Sequence, residues 1–477
     1  MQLTLKHVPF LFALSAALLS SGCAVGPDYE RPSVQVADSF RGAALLEGWK
    51  QATPSENALK GEWWTLYGDE DLNALIKQVE VNNQNVAQYV QRYRMARADL
   101  SSAEASLFPT VSLNGQIGRS KSGSLISNRS SLQGQVSWMP DIWGKLRRQA
   151  QSNRASAEAS LADLANATLS AQATLARSYL QLRVLDKRVS LFDETIQVYE
   201  NNLRTITNKY QAGTAVKTDV TQASQSLDSA RSSRAALKLS RAKLEHAIAV
   251  LVGQTPESFS IPVRDAELPK VPAIPPALPS SLLERRPDIA SAERAVAAAN
   301  ESIGIAIAGY FPDLTLSASG GYSKNSLHNL FSADNLVWSL GASAAMTILD
   351  FGKTSASVER ARANYERTVA AYRQTVLQAL QNVEDCLVSS VNLSEQLKHT
   401  TAAYEAAKET SRIMHNQYDA GMIDYTDVSS RDASRISAQQ NLLSLYSSSL
   451  ENSVTLIESL GGGWEGLASE EPGKAQQ

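Results

Sequence analysis

The chain has 477 residues, enough for two or three domains, and it carries a formal net charge of −3 with an aromatic content of 6%. Such a charge excludes a broadly basic surface for nucleic acid, and so few aromatic residues argue against a surface on which bases stack. The five histidines lack the spacing of metal ligands, and no serine-nucleophile motif or phosphate loop is present. The sequence therefore predicts neither an enzyme nor a metal or cofactor site. Cys386 lies in a helical pattern and is expected to be a buried apolar residue.

Residues 1–22 are predicted to be a lipoprotein signal peptide. Their apolar run VPFLFALSAALL, at 8–19, is too short to remain as a spanning helix. It is followed by SSGC, which makes Cys23 the expected lipidation site, although an ordinary signal peptide with an incidental cysteine has the same composition. Ala24 after this cysteine resembles an outer-membrane address in Gram-negative lipoproteins. Residues 23–60 are then expected to be an irregular, lipid-anchored segment.

The first of two similar halves is predicted at 61–253, and it begins with strands. Between about 109 and 140, apolar residues such as Val111, Leu113 and Ile117 alternate with polar or small ones. Period-two alternation interrupted by turn residues predicts one hairpin of two strands. Weak alternation over about ten residues per strand is typical of a membrane β-barrel.

A helical hairpin is predicted next, at about 145–252. The 68 residues from Lys145 to Ala212 contain no Gly or Pro, and neither do the 39 residues at 214–252; Gly213 separates the two runs. A helix of that length spans about 100 Å, which predicts a coiled-coil or helical-tube arrangement. The many Ala and Ser residues suit close packing, but a long solvated coiled coil has the same pattern.

Residues 254–287 hold eight of the sixteen prolines and are predicted to be a linker. The second half, at 288–461, repeats the first. Strands are expected at about 312–350 and a helical hairpin at about 353–460, again with breaker-free runs of 68 and 39 residues around one Gly. Equal runs indicate an internal tandem repeat. Residues 462–477 are expected to be an irregular tail.

Short motifs recur in both halves. SLFPTVSLNGQIGRS (106–120) pairs with GYFPDLTLSASGGYS (309–323), and DIWGK (141–145) pairs with LDFGK (349–353). The first pair lies 203 residues apart and the second 208. The second copy therefore carries extra residues between its strands, where a longer loop is expected.

The turn between the helices is also written twice. YQAGTAVKTDV begins at Tyr210, and YDAGMIDYTDV begins at Tyr418. The shared Gly suits the positive φ of a tight helical reversal. The shared Asp, at Asp219 and Asp427, falls near the start of the returning helix, where a carboxylate is favoured.

Three segments carry a resemblance to a known family. They are CAVGPDYERP at 23–32, WWTLYGDEDLNALI at 63–76 and LLERRPDIASAERAVAAANESIGIAIAGYFPDLTL at 282–316. They resemble the TolC-like outer-membrane efflux proteins, specifically the lipid-anchored branch that includes OprM and the NodT group. The resemblance covers nearly all of the mature chain.

The resemblance implies a mainly α-helical homotrimer with a membrane β-barrel. Three chains would build one twelve-stranded barrel and one twelve-helix periplasmic tube, lipid-anchored in the Gram-negative outer membrane. Such a trimer is the passive exit duct of a tripartite efflux pump, without a cofactor besides the lipid. Its partners would be a periplasmic adaptor and an inner-membrane transporter, expected to be proton-driven. A duct for type I protein secretion and a structural coiled-coil lipoprotein are the alternatives.

The resemblance also assigns roles at the tips of the helical hairpins. Asp427 would line a periplasmic gate, where three carboxylates around the axis would bind cations; alternatively it only caps a helix. The family's second Asp, one turn later, is Ser430 here. Tyr418 would bond a carboxylate matching Asp219, or both Tyr210 and Tyr418 simply pack.

Two small-residue turns would meet the hairpin tips of the adaptor. They are Ala212 with Gly213 and Ala420 with Gly421, where a small side chain next to a glycine leaves a groove for another helix tip. The alternative is that these glycines serve the turns alone.

Overall fold

A computed structural model of the chain describes residues 24–34, 37, 40–41, 62–264, 267–272, 274 and 285–462. The predicted signal peptide, the predicted lipidation site Cys23 and the tail beyond 462 lie outside the described residues, as does most of the linker after 274.

The described chain is mainly helical. Helices α1 (Glu70–Asn82) and α2 (Gln84–Ala105) lead into strands β1 (Thr110–Ser122) and β2 (Leu125–Trp138). The chain continues with α3 (Lys145–Gln211), α4 (Lys217–Leu251), α5 (Pro287–Ala308), β3 (Asp313–Lys324), β4 (Leu336–Ala345), α6 (Lys353–Asp419) and α7 (Tyr425–Ser459). Helices α3 and α6 have 67 residues each, and α4 and α7 have 35 each, in the places where the breaker-free runs predict them.

The strands form one antiparallel sheet in the order β1-β2-β3-β4. A two-residue turn joins β1 to β2, whereas eleven residues separate Lys324 from Leu336. The longer second loop is where the spacing of the motifs predicts extra residues. Pro109 and Pro312 each precede a strand directly, because a proline cannot donate to a ladder hydrogen bond and suits the entry to a strand.

The chain divides into two compact units. One comprises Met1–Val34, Gln91–Ala162 and Ala290–Thr375 and contains the sheet; the other comprises Gln35–Val90, Asp163–Ile289 and Val376–Gln477. Within the described part of the chain, no helix is both long and apolar enough to cross a membrane.

The second of these units, whose described elements are all helices, has a conventional hydrophobic core. Trp63 and Ile76 are fully buried together with Leu175 and Val454, which come from the long helices. The first helix is fixed at its start, because the Asp69 side chain accepts hydrogen bonds from the backbone N–H groups of Asp71 and Leu72.

Candidate functional site

One face of the sheet is apolar across all four strands. Paired residues of neighbouring strands lie on the same face, so the ladders that pair Leu113 with Gly134 and Ala318 with Leu340 define it. Leu113 is 71% exposed and Leu340 76% exposed. The larger apolar side chains of this face are Val111, Leu113, Ile117, Ile126, Leu132, Val136, Trp138, Leu314, Leu316, Tyr322, Leu336, Trp338 and Leu340. Arg119, Lys121 and Lys324 lie on the same face, near the loops that join the strands of each hairpin. No element among the described residues covers it.

The opposite face is polar. Its hydroxyl and amide side chains bond across the strands: Ser319 and Ser339 lie 2.8 Å apart (Oγ to Oγ), and Asn114 Nδ2 donates to Gln135 Oε1 over 3.5 Å. Gln116 lies on this face, opposite Ser131. The sheet is therefore apolar on one face and polar on the other.

A buried arginine holds the segment that follows Cys23. Arg148 of α3 donates from Nε to the carbonyl oxygen of Val25 over 2.7 Å and from Nη1 to Glu301 Oε2 over 2.7 Å. It also donates to the carbonyl oxygens of Gly26 and Pro27. Three of these hydrogen bonds hold the backbone carbonyl groups of residues 25–27, so this segment is clamped to the sheet-bearing unit.

The two helix-to-helix turns have the same geometry. Gly213 has φ +72° and Gly421 has φ +74°, as the sequence predicts. The N–H of Thr214 bonds the carbonyl oxygen of Lys209, and the N–H of Met422 bonds that of Gln417, each over 2.9 Å. These are the six-to-one hydrogen bonds of a Schellman cap. A Cβ at either glycine would meet no atom within 4 Å, so the glycines are required by backbone conformation rather than by space.

The two turns lie beside each other. Ile206 and Ala223 from the first hairpin form a buried cluster with Tyr425 and Val428 from the second. Next to it, the hydroxyl groups of Ser226 and Ser429 are 2.9 Å apart. The contact is apolar inside and hydrogen-bonded at its border.

Asp219 and Asp427 occupy the same place in their helices. Each is the third residue, after starts at Lys217 and Tyr425, and each lies in the positively polarised first turn. The Asp427 side chain is exposed and that of Asp219 is half-buried. Among the described residues neither carboxylate has an ion-pair partner.

Tyr418 does not meet Asp219 within the chain. Its phenolic oxygen accepts a hydrogen bond from Lys209 Nζ over 3.2 Å, and this ammonium group lies 4.4 Å from the ring centroid. The ring also packs edge-on against Tyr425, 5.8 Å between centroids. Within the chain the Tyr418 side chain thus contacts Lys209 from the end of the adjacent hairpin, and the latch between Tyr418 and Asp219 stays a prediction.

The sequence analysis missed a buried carboxylate behind these turns, that of Asp432. Asp432 accepts hydrogen bonds from Ser411 Oγ over 2.6 Å and from His415 Nε2 over 3.0 Å. The bond to Asp432 raises the pKa of His415 against desolvation, and Asp419 adds to the rise. Burial acts to raise the pKa of Asp432, but His415, Ser411 and Arg435 together hold it below its ordinary value. Helix α6 contributes 411 and 415 at i,i+4 spacing, the only sequence sign of this arrangement.

The described ranges hold no group of three or more His, Cys, Asp or Glu residues arranged for a metal ion. Cys386 is buried and free, as predicted, and desolvation raises the pKa of its thiol to about 11, which leaves it unreactive at neutral pH.

Comparison with solved structures defines the class of fold. The chain superposes on the outer-membrane channel OprN with a TM-score of 0.85 and 28% sequence identity, over 93% of this chain and all of that one. The fold is thus that of an outer-membrane channel.

The family follows from the sequence. The model of the outer membrane efflux protein family matches residues 75–254 and again 278–462. The cation efflux system protein CusC of Escherichia coli O6:H1 is 25% identical, over 96% of this chain and 99% of the relative. The nodulation protein T of Rhizobium leguminosarum bv. trifolii is 27% identical, over 90% and 91%. The chain belongs to the outer membrane efflux protein family, which confirms the resemblance to TolC-like proteins and points away from an enzyme.

Proposed function

We propose that the chain is the outer-membrane exit duct of a tripartite efflux pump. It conducts small molecules passively from a periplasmic adaptor and a proton-driven inner-membrane transporter to the exterior. The observation that carries this proposal is the two-faced sheet, with an uncovered apolar face and a hydrogen-bonded polar face. The relatives' names refer to different processes, cation efflux for CusC and nodulation for the Rhizobium protein. In this proposal the inner-membrane partner selects the cargo.

The sheet requires further copies of the chain. Four strands cannot close a barrel, because the smallest closed membrane barrels have about eight. In a four-stranded antiparallel sheet, β1 and β4 run in opposite directions, so β4 of one copy can pair antiparallel with β1 of the next. Three copies, the number that the family resemblance implies, give twelve strands in the membrane and a periplasmic tube of twelve long helices.

The turns at Gly213 and Gly421 form the periplasmic tips in this proposal. Three copies of the exposed Asp427 would converge near the axis and bind cations, which closes the resting duct. Ala212 and Ala420, next to the turn glycines, leave shallow surfaces for the adaptor's helix tips. Tyr418 packs against Lys209 within each chain.

Lipidation of Cys23 anchors each chain in the outer membrane. The clamp by Arg148 begins two residues later, at Val25, so the acyl chains enter the bilayer at a fixed point of the sheet-bearing unit. The strands of the barrel anchor the chain in addition to these acyl chains.

Of the alternatives, a coiled-coil spacer is disfavoured by the sheet, since a spacer needs no uncovered apolar face. A type I secretion duct shares the whole architecture and differs in its cargo and inner-membrane partner. The two are separated in a strain that lacks this chain and carries either an efflux pump or a type I secretion transporter. The substrate whose export needs the chain shows which partner it serves.

A pair of cysteine variants in a planar bilayer tests the proposal. Gln116→Cys on the polar face is expected to lose conductance when a charged thiol reagent is added to the bath, because this face lines the lumen. Leu113→Cys on the apolar face, three residues away on the same strand, is expected to be unaffected because lipid covers it. Absence of channels, or block of both variants alike, would overturn the proposal.

A further inference from the structure

An aromatic stack closes the boundary between the two hairpins of the sheet. Trp143, just after β2, stacks on Phe311, just before β3, with ring centroids 4.6 Å apart and planes inclined by 26°. The indole Nε1 donates to the carbonyl oxygen of Pro312 over 2.9 Å. Stacked aromatic pairs add about 0.5–1.5 kcal/mol beyond their burial, so this pair fastens β2 to β3 where the strands meet the helices.

The same two aromatic positions occur again, without partners. Phe311 of GYFPD corresponds to Phe108 of SLFPT, and Trp143 of DIWGK corresponds to Phe351 of LDFGK. Phe108 precedes β1 and is 69% exposed; Phe351 follows β4 and is 92% exposed. They stand at the two open edges of the sheet, one at each.

We propose that Phe351 of one copy stacks on Phe108 of the next copy of this chain. This inference rests on the proposed function, because it takes the closed ring of copies as given, and it names the contact that closes each boundary. The contact between chains is then the counterpart of the stack of Trp143 on Phe311 within a chain. Each copy uses both of its unpartnered rings.

The same correspondence gives the register between chains. Within the chain Trp138 pairs with Leu316. Adding 208 to the number of Trp138 gives Met346, and subtracting 203 from that of Leu316 gives Leu113. The transferred pairing therefore places Met346 opposite Leu113 of the next copy. Two residues further, Ile348, which is 90% exposed, falls opposite Val111.

This register is consistent with the faces of the strands. A shift by one residue would turn the apolar side of one strand toward the polar side of its neighbour. Leu340 and Trp338 occupy even-numbered positions on the apolar face of β4, and Met346 continues this numbering just beyond Ala345. Leu113 and Val111 occupy odd-numbered positions on the apolar face of β1. The transferred pairing therefore keeps the two apolar faces on the same side. Met346 and Ile348 fall opposite Leu113 and Val111 near the rings, whereas Leu340 and Trp338 fall opposite Arg119 and Lys121 toward the other end.

The contact between chains relies on apolar groups more than the one within a chain. Lys145 donates to both carboxylate oxygens of Asp313 over 3.2 Å next to the Trp143 stack. The corresponding residues are Lys353 and Thr110, which cannot form an ion pair. The rings of Phe351 and Phe108, with Ile348 and Val111, are the contacts left to hold that boundary.

Photocrosslinking of the full-length protein tests the inference. Phe351 is replaced with p-benzoylphenylalanine, and ordinary and 15N-labelled chains, expressed in separate cultures, are unfolded, mixed and reassembled before irradiation and digestion. The expected product joins the peptide containing residue 351 to that containing Phe108, and its mixed isotope pattern shows that two chains contribute. The control places the same photoreactive residue at Phe331, in the loop between β3 and β4, and is expected not to reach Phe108.

Native mass spectrometry of the same samples distinguishes the possible failures. A trimer whose residue 351 crosslinks elsewhere, within its own chain or not at all overturns the stack and leaves the duct intact. A monomer overturns both the ring of copies and the stack. A second measurement uses Phe351→Ala, Phe108→Ala and the double variant: the thermal dissociation temperature of the trimer is expected to fall non-additively, and additive losses count against direct contact.

Discussion

At the scale of single residues, Asp219 and Asp427 occupy the same position in their helices but differ in exposure. Both lie third in their helices, where the helix dipole favours a carboxylate. Asp427 is exposed whereas Asp219 is half-buried, and this difference makes Asp427 the better candidate for a cation-binding ring. Asp427 can therefore both stabilise the start of its helix and line the proposed gate.

We expect Asp427→Ala to weaken block of the channel by divalent cations. Loss of three carboxylates around the axis removes the attraction for the ion, and each 1.4 kcal/mol of it changes the half-blocking concentration about tenfold. Single-channel recording with increasing divalent cation measures this concentration. Asp219→Ala is the matched control, with a smaller expected change; unchanged block in Asp427→Ala would leave that residue as a cap only.

The pair of His415 and Asp432 predicts a pH dependence of the tip region. Since the pKa of His415 is raised above 6.5, its protonation stabilises the fold fully below pH 6.5, and this contribution is lost as pH rises through the folded-state pKa. Since the pKa of Asp432 is lowered from 3.8, its contribution is present above pH 3.8 and is lost on further acidification. Both contributions are therefore present between these values.

Hydrogen exchange of the peptides spanning 411–432, corrected for intrinsic rates, measures this effect. Exchange is expected to be faster at pH 8 than at pH 6 in the native chain, and His415→Gln is expected to remove the difference. His399→Gln, an exposed histidine on the same helix, is the control and should keep it. The same pH difference in His415→Gln would contradict the assignment.

At the scale of elements, the long helices depend on their turns. The Schellman caps at Gly213 and Gly421 satisfy the carbonyl groups left at the ends of α3 and α6 and reverse the chain in a few residues. The apolar cluster around Ile206 and Tyr425 then holds the two turns side by side. The turns thus set the position of Asp427.

Gly213→Ala is expected to destabilise the tip by about 1–2 kcal/mol, because an L-residue pays this cost for a left-handed backbone. Gly213→Asn should cost less, since asparagine tolerates positive φ. Gly118→Ala, at a strand glycine without positive φ and with open space around it, is the control. Protease nicking of residues near the turn reports the local opening; equal rates in Ala and Asn variants would show that φ does not decide the outcome.

At the scale of the whole molecule, the proposed membrane anchoring combines a lipid on Cys23 with the barrel. Cys23 is followed by residues 25–27, which Arg148 holds through their carbonyl oxygens. Arg148 is itself buried against Glu301. If Cys23 carries the lipid, this clamp holds the chain from the second residue after the attachment point.

Cys23→Ser is expected to lose incorporation of radiolabelled palmitate while still yielding trimers in the outer-membrane fraction, because the strands also anchor the chain. Metabolic labelling followed by native electrophoresis measures both. Cys386→Ser, at the buried thiol, is the control and should keep the label. Label retained in Cys23→Ser would refute the assignment of the lipidation site.

Much of the architecture was predictable from local sequence rules. Gly and Pro mark element ends because their backbone preferences act within a few residues, which is why the runs at 145–212 and 353–420 delimit helices of 67 residues each. Period-two alternation likewise predicted the strands. The contact of Tyr418 with Lys209 was not predictable in this way, since a hydrogen-bond partner depends on which side chain another hairpin presents.

The sequence by itself determined the order and lengths of the helices, the positions of the turns, the strands and the membership of the efflux family, because these depend on short-range backbone chemistry and on recurring motifs. The tertiary structure alone decided that Asp432 is buried against His415, that Arg148 holds the N-terminal segment and that Trp143 stacks on Phe311 while Phe108 and Phe351 stay open. These contacts join residues far apart in the chain, and no local pattern encodes which distant side chains meet.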